Sequence, residues 1–463
     1  MIGFVINFEG SSGVPKYIQL YEYIKKEIME GNLTEGEKLP SVRSVCEALK
    51  ISKATVENAY SQLVVEGYIE SRAKSGYYVI AFDDFTFTQL SSQVFFHEGQ
   101  KTLIEEPLKF DRAEEGTFNF NEWKKAVNRV LEYDTQTLLS YGDVQGEYAL
   151  RYEIAKFIHQ SRGGRCHPDQ IIVGAGIQVL FGLIATLFRG VKDQIGFEYP
   201  GFSKGMYIFE DYGYQTVKIP VEVDGIDLKR LEASQTKIVY VSPSHQYPTG
   251  SIMPIKKRIQ LLNWASKKGA YIIEDDYDSM LRYEGYPVPA LQGLNYGKNV
   301  IYVGSFSKLL IPSLRISFMI LPERLMEDFN RIKGRYSQSV SKIEQLALAG
   351  YMSEGSFERH IRRIKKIYGK KNQLLIEAFK RYPTNNFKLI GKESGLHVVL
   401  DFHADVAIAK VVTMAKAMGV LLEGVDEYPD NRILVFSYSG IPDDWIDSVV
   451  KEIVEISDSA RKT

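Results

Sequence analysis

Between residues 170 and 308 the chain alternates between short apolar runs and helical stretches. The runs are QIIVGAG, QIGFEYP, KIVYVSP, AYIIEDD and NVIYVGSFSK. They are short and rich in Ile, Val and aromatic residues, which marks strands buried on both faces. Helical stretches lie between them, at 177–189, 201–211 and 254–268. Such alternation predicts an α/β unit with a mixed, mostly parallel sheet and helices on both faces. After about Gly334 the pattern changes. A long helical region, 337–381, precedes the strand candidates FKLIG, LHVVLDF, GVLLEGV and RILVFSYS. The expectation is a large subdomain over about 150–334 and a smaller α+β subdomain over about 335–463.

The first 80 residues follow a different pattern, and 463 residues are too many for one ordinary core. Ile18, Tyr21, Ile24 and Ile28 have helical spacing in a segment that ends at Gly31. Ser41 caps a second predicted helix with Val42, Val45 and Leu49 on one face. Ser52 caps a third, with Val56, Ala59, Tyr60 and Leu63 inward and Gly67 at its end. YIESRAKSGYYVI then reads as two strands around a basic turn. Three helices and a hairpin are the order of a winged helix-turn-helix, predicted over 14–81. Residues 82–106 show no sustained period and read as a linker, which leaves 107–463 for the α/β unit.

Bulk properties exclude several classes. The net charge of −1 rules out a polybasic chain, so any nucleic-acid contact sits in a local patch. Cys46 and Cys166 share no metal-ligand spacing and suggest no disulfide framework. The start, MIGFVINFEG, lacks a signal-peptide pattern, and runs such as VLFGLIATLF are too short for a membrane span. A cytoplasmic protein with no membrane partner is expected.

In a winged helix the third helix enters the major groove and the wing lies over the flank. Phosphate contacts need Lys, Arg, Ser, Thr or free N–H groups. Ser41, Arg43, Ser52, Lys53 and Thr55 stand at helix starts, where N–H groups also point outward. Arg72 and Lys74 lie in the wing, and Gly76 lets it turn. The stretch GEKLPSVRSVCEALKISKATVENAYSQLVVEGYIESRAKSGYYV resembles the GntR family of bacterial winged-helix regulators. The resemblance implies that Arg43, Ser52, Lys53, Thr55 and the Arg72–Gly76 turn contact operator DNA. Glu57 departs from the family, where several members carry a basic or amide residue.

In GSFSKLLIPSLRIS a single lysine, Lys308, stands among apolar residues. A lysine is costly to bury unless paired or used chemically. One use is a Schiff base with an aldehyde cofactor, notably pyridoxal 5′-phosphate. That cofactor needs a carboxylate at its ring nitrogen and a donor at its phenolic oxygen. Its phosphate needs N–H groups, hydroxyls and an arginine, and one ring face needs support. Asp275 and Tyr277 lie in IIEDDYD, and Ser305 and Arg315 flank Lys308. VGAGIQ offers a small-residue turn at a helix start, and Phe202 in YPGF offers a ring. All fall at the carboxyl ends of predicted strands, where open α/β sheets bind ligands.

This combination resembles the fold-type I pyridoxal-phosphate enzymes, the aspartate aminotransferase superfamily. From Val14 onward the chain resembles the MocR/GabR family, which joins a GntR-type domain to an aminotransferase-like domain. The densest match is VSPSHQYPTGSIMPIKKRIQLLNWA, YIIEDDYDS and NVIYVGSFSKLLIPSLRIS. The resemblance implies that Lys308 carries the internal aldimine, Asp275 pairs with the ring nitrogen and Tyr277 with the phenolic oxygen. Ser305, Arg315 and the backbone of Ala175, Gly176 and Ile177 would hold phosphate, and Phe202 would stack on the ring. Tyr141 would reach the phosphate of a partner subunit, which implies a homodimer.

Three positions depart from an aminotransferase. Where the family's carboxylate-gripping arginine is expected, ILVFSYSG places Tyr438, which offers one hydroxyl and no charge. A packing role for Tyr438, with Arg432 gripping the carboxylate instead, is the alternative. The second carboxylate-binding arginine of the GABA-responsive regulator is Lys204 here, and the asparagine before PTG is Tyr247. His245 or Gln246 would substitute for that asparagine. Lys204 and Tyr438 are thus the candidate effector contacts, and the effector is a small amine or the cofactor itself. The reading is a transcription regulator that senses through Lys308, with at most residual transaminase half-reactions. The alternative is a working aminotransferase with a DNA-binding appendage.

Overall fold

The computed structural model describes residues 6, 8, 14–80, 116–190, 193–283, 288–294, 297–424 and 432–461. The chain divides into two compact units, Met1–Thr102 and Leu103–Thr463. The linker expected over 82–106 lies outside the described residues.

The first unit contains α1 (Lys16–Met29), α2 (Val42–Leu49), α3 (Lys53–Val65) and the strands β1 (Ile69–Arg72) and β2 (Gly76–Val79). A helix start leaves N–H groups without intrahelical partners. Ser41 takes one of these from Ser44 and Ser52 takes one from Thr55, each at 3.2 Å. The core packs Leu20, Tyr21, Ile24 and Ile28 of α1 against Val56, Ala59, Tyr60 and Leu63 of α3. Ile18, expected to face inward, is only half-buried, and Leu20 takes its place. Residues 20, 24 and 28 share one helical face, whereas 18 lies to its side. The wing is tight: Ser75 N–H donates to the Arg72 carbonyl at 2.9 Å. Lys74 (φ +60°) and Gly76 (φ +116°) both adopt left-handed backbone to make that turn.

In the second unit an eight-stranded sheet forms the platform. Its strands are β3 (Ile171–Gly174), β4 (Gln194–Tyr199), β5 (Gln215–Glu222), β6 (Gly225–Ile226), β7 (Ile238–Val241), β8 (Tyr271–Asp276), β9 (Val300–Ser305) and β10 (Ser317–Ile320). The order is β3-β10-β9-β8-β7-β4-β5-β6. The pairs from β9 through β8, β7 and β4 to β5 are parallel. β10 runs antiparallel between β3 and β9, and β6 pairs antiparallel with β5. Periodicity missed β5, β6 and β10. β5 is largely exposed and carries Lys218, Pro220 and Glu222, so it lacks the buried-strand signature. β10 has four residues and β6 two, too few to show a period.

The smaller sheet is antiparallel, in the order β11 (Phe387–Ile390), β12 (His397–Phe402), β14 (Ile433–Ser437), β13 (Glu423–Gly424). The helical region expected over 337–381 is two helices, Lys342–Ser353 and Ser356–Arg381. They meet at Gly355, whose φ of +69° breaks the helix with a left-handed residue. A Cβ built on Gly355 has nothing nearer than the Arg359 Nη1 at 3.5 Å, so space is not limiting there. Gly355→Ala should therefore cost about 1 kcal/mol from backbone conformation alone. The check is a lower denaturant midpoint with an unchanged m-value.

Candidate functional site

Strand register assembles the site. Ser317 of β10 lies opposite both Ser305, at the end of β9, and Gly174, at the end of β3. Asp275 of β8 lies opposite Val303 of β9. The segments Gly174–Gly176, Asp275–Tyr277 and Ser305–Lys308, and Arg315, therefore converge on one end of the sheet, as expected from sequence.

One side of this end is built for an anion. The helix Ile177–Phe188 begins with no side-chain cap, and Gly176 before it has φ +92°. A Cβ on Gly176 would stand 2.4 Å from Arg315 Nη2, so the guanidinium fills the space a side chain would take. Arg315 is itself held left-handed, at φ +52°, and is exposed. Ser305 Oγ accepts from Ser307 N–H at 3.2 Å and from Ser317 Oγ at 3.0 Å. Two of the three amides assigned to phosphate already donate within the chain. Ala175 N–H meets Ser339 Oγ at 3.0 Å, and Gly176 N–H meets the Gly174 carbonyl at 2.8 Å.

Two adjacent carboxylates take opposite roles because strand residues alternate faces. Asp276 is paired with Arg162 at 2.6 Å and accepts from Tyr302. Burial disfavours its charge, but the guanidinium outweighs that and holds it below the usual carboxylate range. Asp275 has no such partner among the described residues. Burial pushes it up to about 7, and the nearby Asp276, Asp278 and Glu274 add to the rise. The hydroxyl of Tyr240, a fully buried β7 residue, donates to Asp275 and pulls the other way. The Phe202 ring lies against Tyr240, with centroids 6.1 Å apart and planes 32° apart. Sequence reading missed Tyr240. A tyrosine inside a buried strand needs a partner for its hydroxyl, and that was the available signal.

Tyr277, two residues beyond Asp275, is neutral, because burial and then Asp278 and Asp275 push its hydroxyl well above the usual tyrosine range. Its oxygen lies 3.0 Å from His245 Nδ1, which Asp278 also contacts at 2.9 Å. Gln246 is occupied elsewhere. Its amide donates to the Pro200 carbonyl at 2.8 Å and accepts from the Thr249 hydroxyl at 2.6 Å. Of the two substitutes for the missing asparagine, His245 is the one that faces Tyr277. His397 lies 5.8 Å from His245, ring to ring. Burial, then His245, lowers His397 to about 4, and the Lys308 charge contributes. Asp278 and His397 were not anticipated, since neither sits in a motif that demands it.

Lys308 is exposed, on the turn after β9. Its neighbours Leu309 and Leu310 are buried, whereas Lys308 itself is accessible. Lys204 is exposed, in the first turn of the helix Ser203–Asp211. Tyr438, expected at the effector, is fully buried. Its hydroxyl takes a bond from Asn372 at 2.9 Å and gives one to the Gly395 carbonyl at 2.8 Å. That leaves a packing residue with its polar end satisfied. Arg432 lies just before β14, with its carbonyl bonded to Phe402 N–H at 2.9 Å. Tyr141 is fully exposed.

The first unit carries a separate candidate surface. Arg43 and Lys53 are exposed at the starts of α2 and α3 and each meets an acid one turn on, Glu47 and Glu57, at 3.0 Å. Such exposed pairs are weak and are readily exchanged for a phosphate. Ser52 and Thr55 hydroxyls lie 2.8 Å apart at the start of α3. Arg72 stacks 4.3 Å over the Tyr78 ring, which stiffens the wing that bears Lys74 and Gly76.

Known proteins share both units. Residues 111–434 match aminotransferase class I and II, and residues 16–79 match the bacterial regulatory proteins of the gntR family. An uncharacterised HTH-type transcriptional regulator of Bacillus subtilis (strain 168), YdeL, is 38% identical over 95% of this chain and 96% of its own. The probable rhizopine catabolism regulatory protein MocR of Rhizobium meliloti is 31% identical over 92% of this chain and 91% of its own. The kynurenine aminotransferase of Pyrococcus horikoshii superposes with a TM-score of 0.69 at 24% identity, covering 76% of this chain and 90% of that one, a likeness of fold.

The buried carboxyl has a measurable consequence. Asp275 titrates near 7 when folded, against 3.8 as its ordinary value. The folded state therefore binds the extra proton between those values, and stability is lost as pH rises through the window. Cofactor-free Asp275→Asn should lack that loss. Relative to wild type it should gain up to about 4 kcal/mol between pH 4 and pH 8. Thermal or chemical unfolding across pH checks this, and parallel profiles would contradict it.

Proposed function

We propose a function from one premise: the chain belongs to the MocR/GabR family, in which a GntR-type winged helix is joined to an aminotransferase class I and II domain. It is a transcription regulator with a DNA-binding head. Among the described residues no helix is long and apolar enough to cross a membrane. The second unit, on this reading, binds pyridoxal 5′-phosphate and senses a small amine, or the cofactor itself.

The residues fit that cofactor. Gly176 leaves room for the Arg315 guanidinium at an uncapped helix start, a cradle of positive charge suited to an anion. Asp275 is a buried carboxyl with no cation against it among the described residues, suited to a protonated ring nitrogen. Lys308 is exposed on the turn that follows β9, at the same end of the sheet. When bound, the cofactor supplies an aldehyde carbon open to attack by primary amines. The pairing of the cradle with the Asp275 carboxyl, at one sheet end, is the observation that carries the reading.

Each residue then has a role. Lys308 would supply the amine that holds the cofactor and that an effector amine would replace. Asp275 would hold the ring proton, Tyr277 would donate to the phenolic oxygen, and Phe202 would cover one ring face. Ser305, Arg315 and the Ile177 N–H would face the phosphate, and the Ala175 and Gly176 amides would have to give up their bonds to Ser339 Oγ and the Gly174 carbonyl to join them. Tyr141, fully exposed in one chain, is available to a second copy, which supports a homodimer. Lys204 remains as the exposed cation for an effector carboxylate. Tyr438 gives its one proton to the Gly395 carbonyl and has no other to give a carboxylate. An effector that binds the two conformers of the chain unequally shifts DNA affinity.

The direct test is a spectral titration of purified protein with candidate amines. The cofactor absorbance should shift with at least one amine, vanish in Lys308→Ala, and show no steady-state turnover with a keto acid. Turnover would favour a working aminotransferase, and an unchanged spectrum with every amine would remove the sensing reading. DNA contact is tested separately. Arg43→Ala should weaken operator binding, lower the slope of log affinity against log salt by about 1, and leave the cofactor spectrum intact.

A further inference from the structure

His245, Tyr277 and Asp278 form a buried cluster beside the Lys308 turn. His245 and Asp278 are each 3% exposed. His245 Nδ1 lies 2.9 Å from both Asp278 carboxylate oxygens and 3.0 Å from the Tyr277 hydroxyl oxygen. His245 Nε2 is buried with no hydrogen-bond partner among the described residues. These contacts select one tautomer. A proton on Nδ1 is donated to Asp278. A proton on Nε2 instead would set a lone pair against the carboxylate and leave an N–H without an acceptor. With Nδ1 protonated, the ring has no lone pair there for Tyr277 to donate to. The Tyr277 oxygen accepts a share of the same N–H, and its own proton stays free for another acceptor.

Two glycines hold the imidazole in this slot. A Cβ on Gly395 (φ +82°) would stand 2.5 Å from His245 Cε1 and 2.8 Å from Asp278 Oδ2. A Cβ on Gly250 (φ +70°) would stand 3.1 Å from His245 Nε2. The Gly395 carbonyl is in turn fixed by the Tyr438 hydroxyl at 2.8 Å and the Tyr283 hydroxyl at 2.5 Å. Tyr247, His397, Tyr240 and Asp275 are the other titratable groups around Tyr277 and His245.

We propose that Asp278 and His245 are positioning residues for Tyr277, keeping its hydroxyl a donor into the Lys308 site, toward the phenolic oxygen of a pyridoxal ring. The proposal rests on the cofactor reading above. It also gives Tyr438 a function, because through Gly395 it braces the imidazole that sets Tyr277.

The test is a pH titration of the bound cofactor's absorbance in the full-length loaded protein. A donor on the phenolic oxygen draws charge from the oxygen that retains the proton on the Lys308 nitrogen. Tyr277→Phe should therefore move the transition up by about 1 pH unit, the scale of one hydrogen bond to a charged oxygen. His245→Leu should move it the same way, and Tyr277→Phe/His245→Leu no further than Tyr277→Phe alone. His245→Asn, whose amide N–H replaces Nδ1–H, should restore the wild-type value. A wild-type transition in His245→Leu, or shifts that add in the double variant, overturns the proposal. A second readout needs no cofactor. Nitrogen-15 NMR of the cofactor-free protein should show His245 protonated on Nδ1, and a ring protonated on Nε2 alone overturns the proposal even if the variants fail to fold. Wild-type protein that shows no cofactor absorbance would instead count against the cofactor reading.

Discussion

Gly176 and Arg315 compete for one volume, and the site depends on how that competition is resolved. The glycine gives up its Cβ, and the guanidinium moves to the start of a helix whose N–H groups face the same way. The strand order makes this possible. β10 runs backwards between β3 and β9, so Arg315, two residues before it, arrives where those strands end. A parallel strand in that place would have carried Arg315 to the opposite end of the sheet. A single antiparallel insertion thus joins an arginine and a nearby serine to a helix start far away in sequence.

Against this positive side the fold sets a carboxyl that burial keeps near neutrality and a lysine left in the open. Asp275 and Asp276 show how one residue of displacement decides chemistry. The neighbour that faces Arg162 is a structural anion, whereas the one that faces Tyr240 waits for a cation. The winged-helix unit obeys simpler rules. Its polar surface is made of helix caps and exposed ion pairs, each cheap to exchange for phosphate.

Much of this was legible in the chain. Ser41 and Ser52 announced two helix starts, and the Ile- and Val-rich runs announced five strands of the platform. The motifs read as suited to a cofactor also fell at strand ends. Failures came where local pattern carries no information. β5 is too exposed to look buried, and β10 and β6 are too short to show a period. Lys308 is exposed although its neighbours are apolar, and it is those neighbours that are buried. Neither Asp278 nor His397 stands out in a string of residues, since their meaning lies in what they face.

By itself, the sequence determined the division into a DNA-binding head and an α/β unit, the helix caps, and which residue types stand at the strand ends. These follow from periodicity, capping chemistry and turn residues, all of which act over a few positions. Only the tertiary structure decided that Gln246 is spent on the turn around Thr249 while His245 meets Tyr277, and that Tyr438 is braced against Gly395. The physical reason is that a side chain's partner is set by strand register and packing. Those bring together residues tens to hundreds of positions apart, and no local pattern records the result.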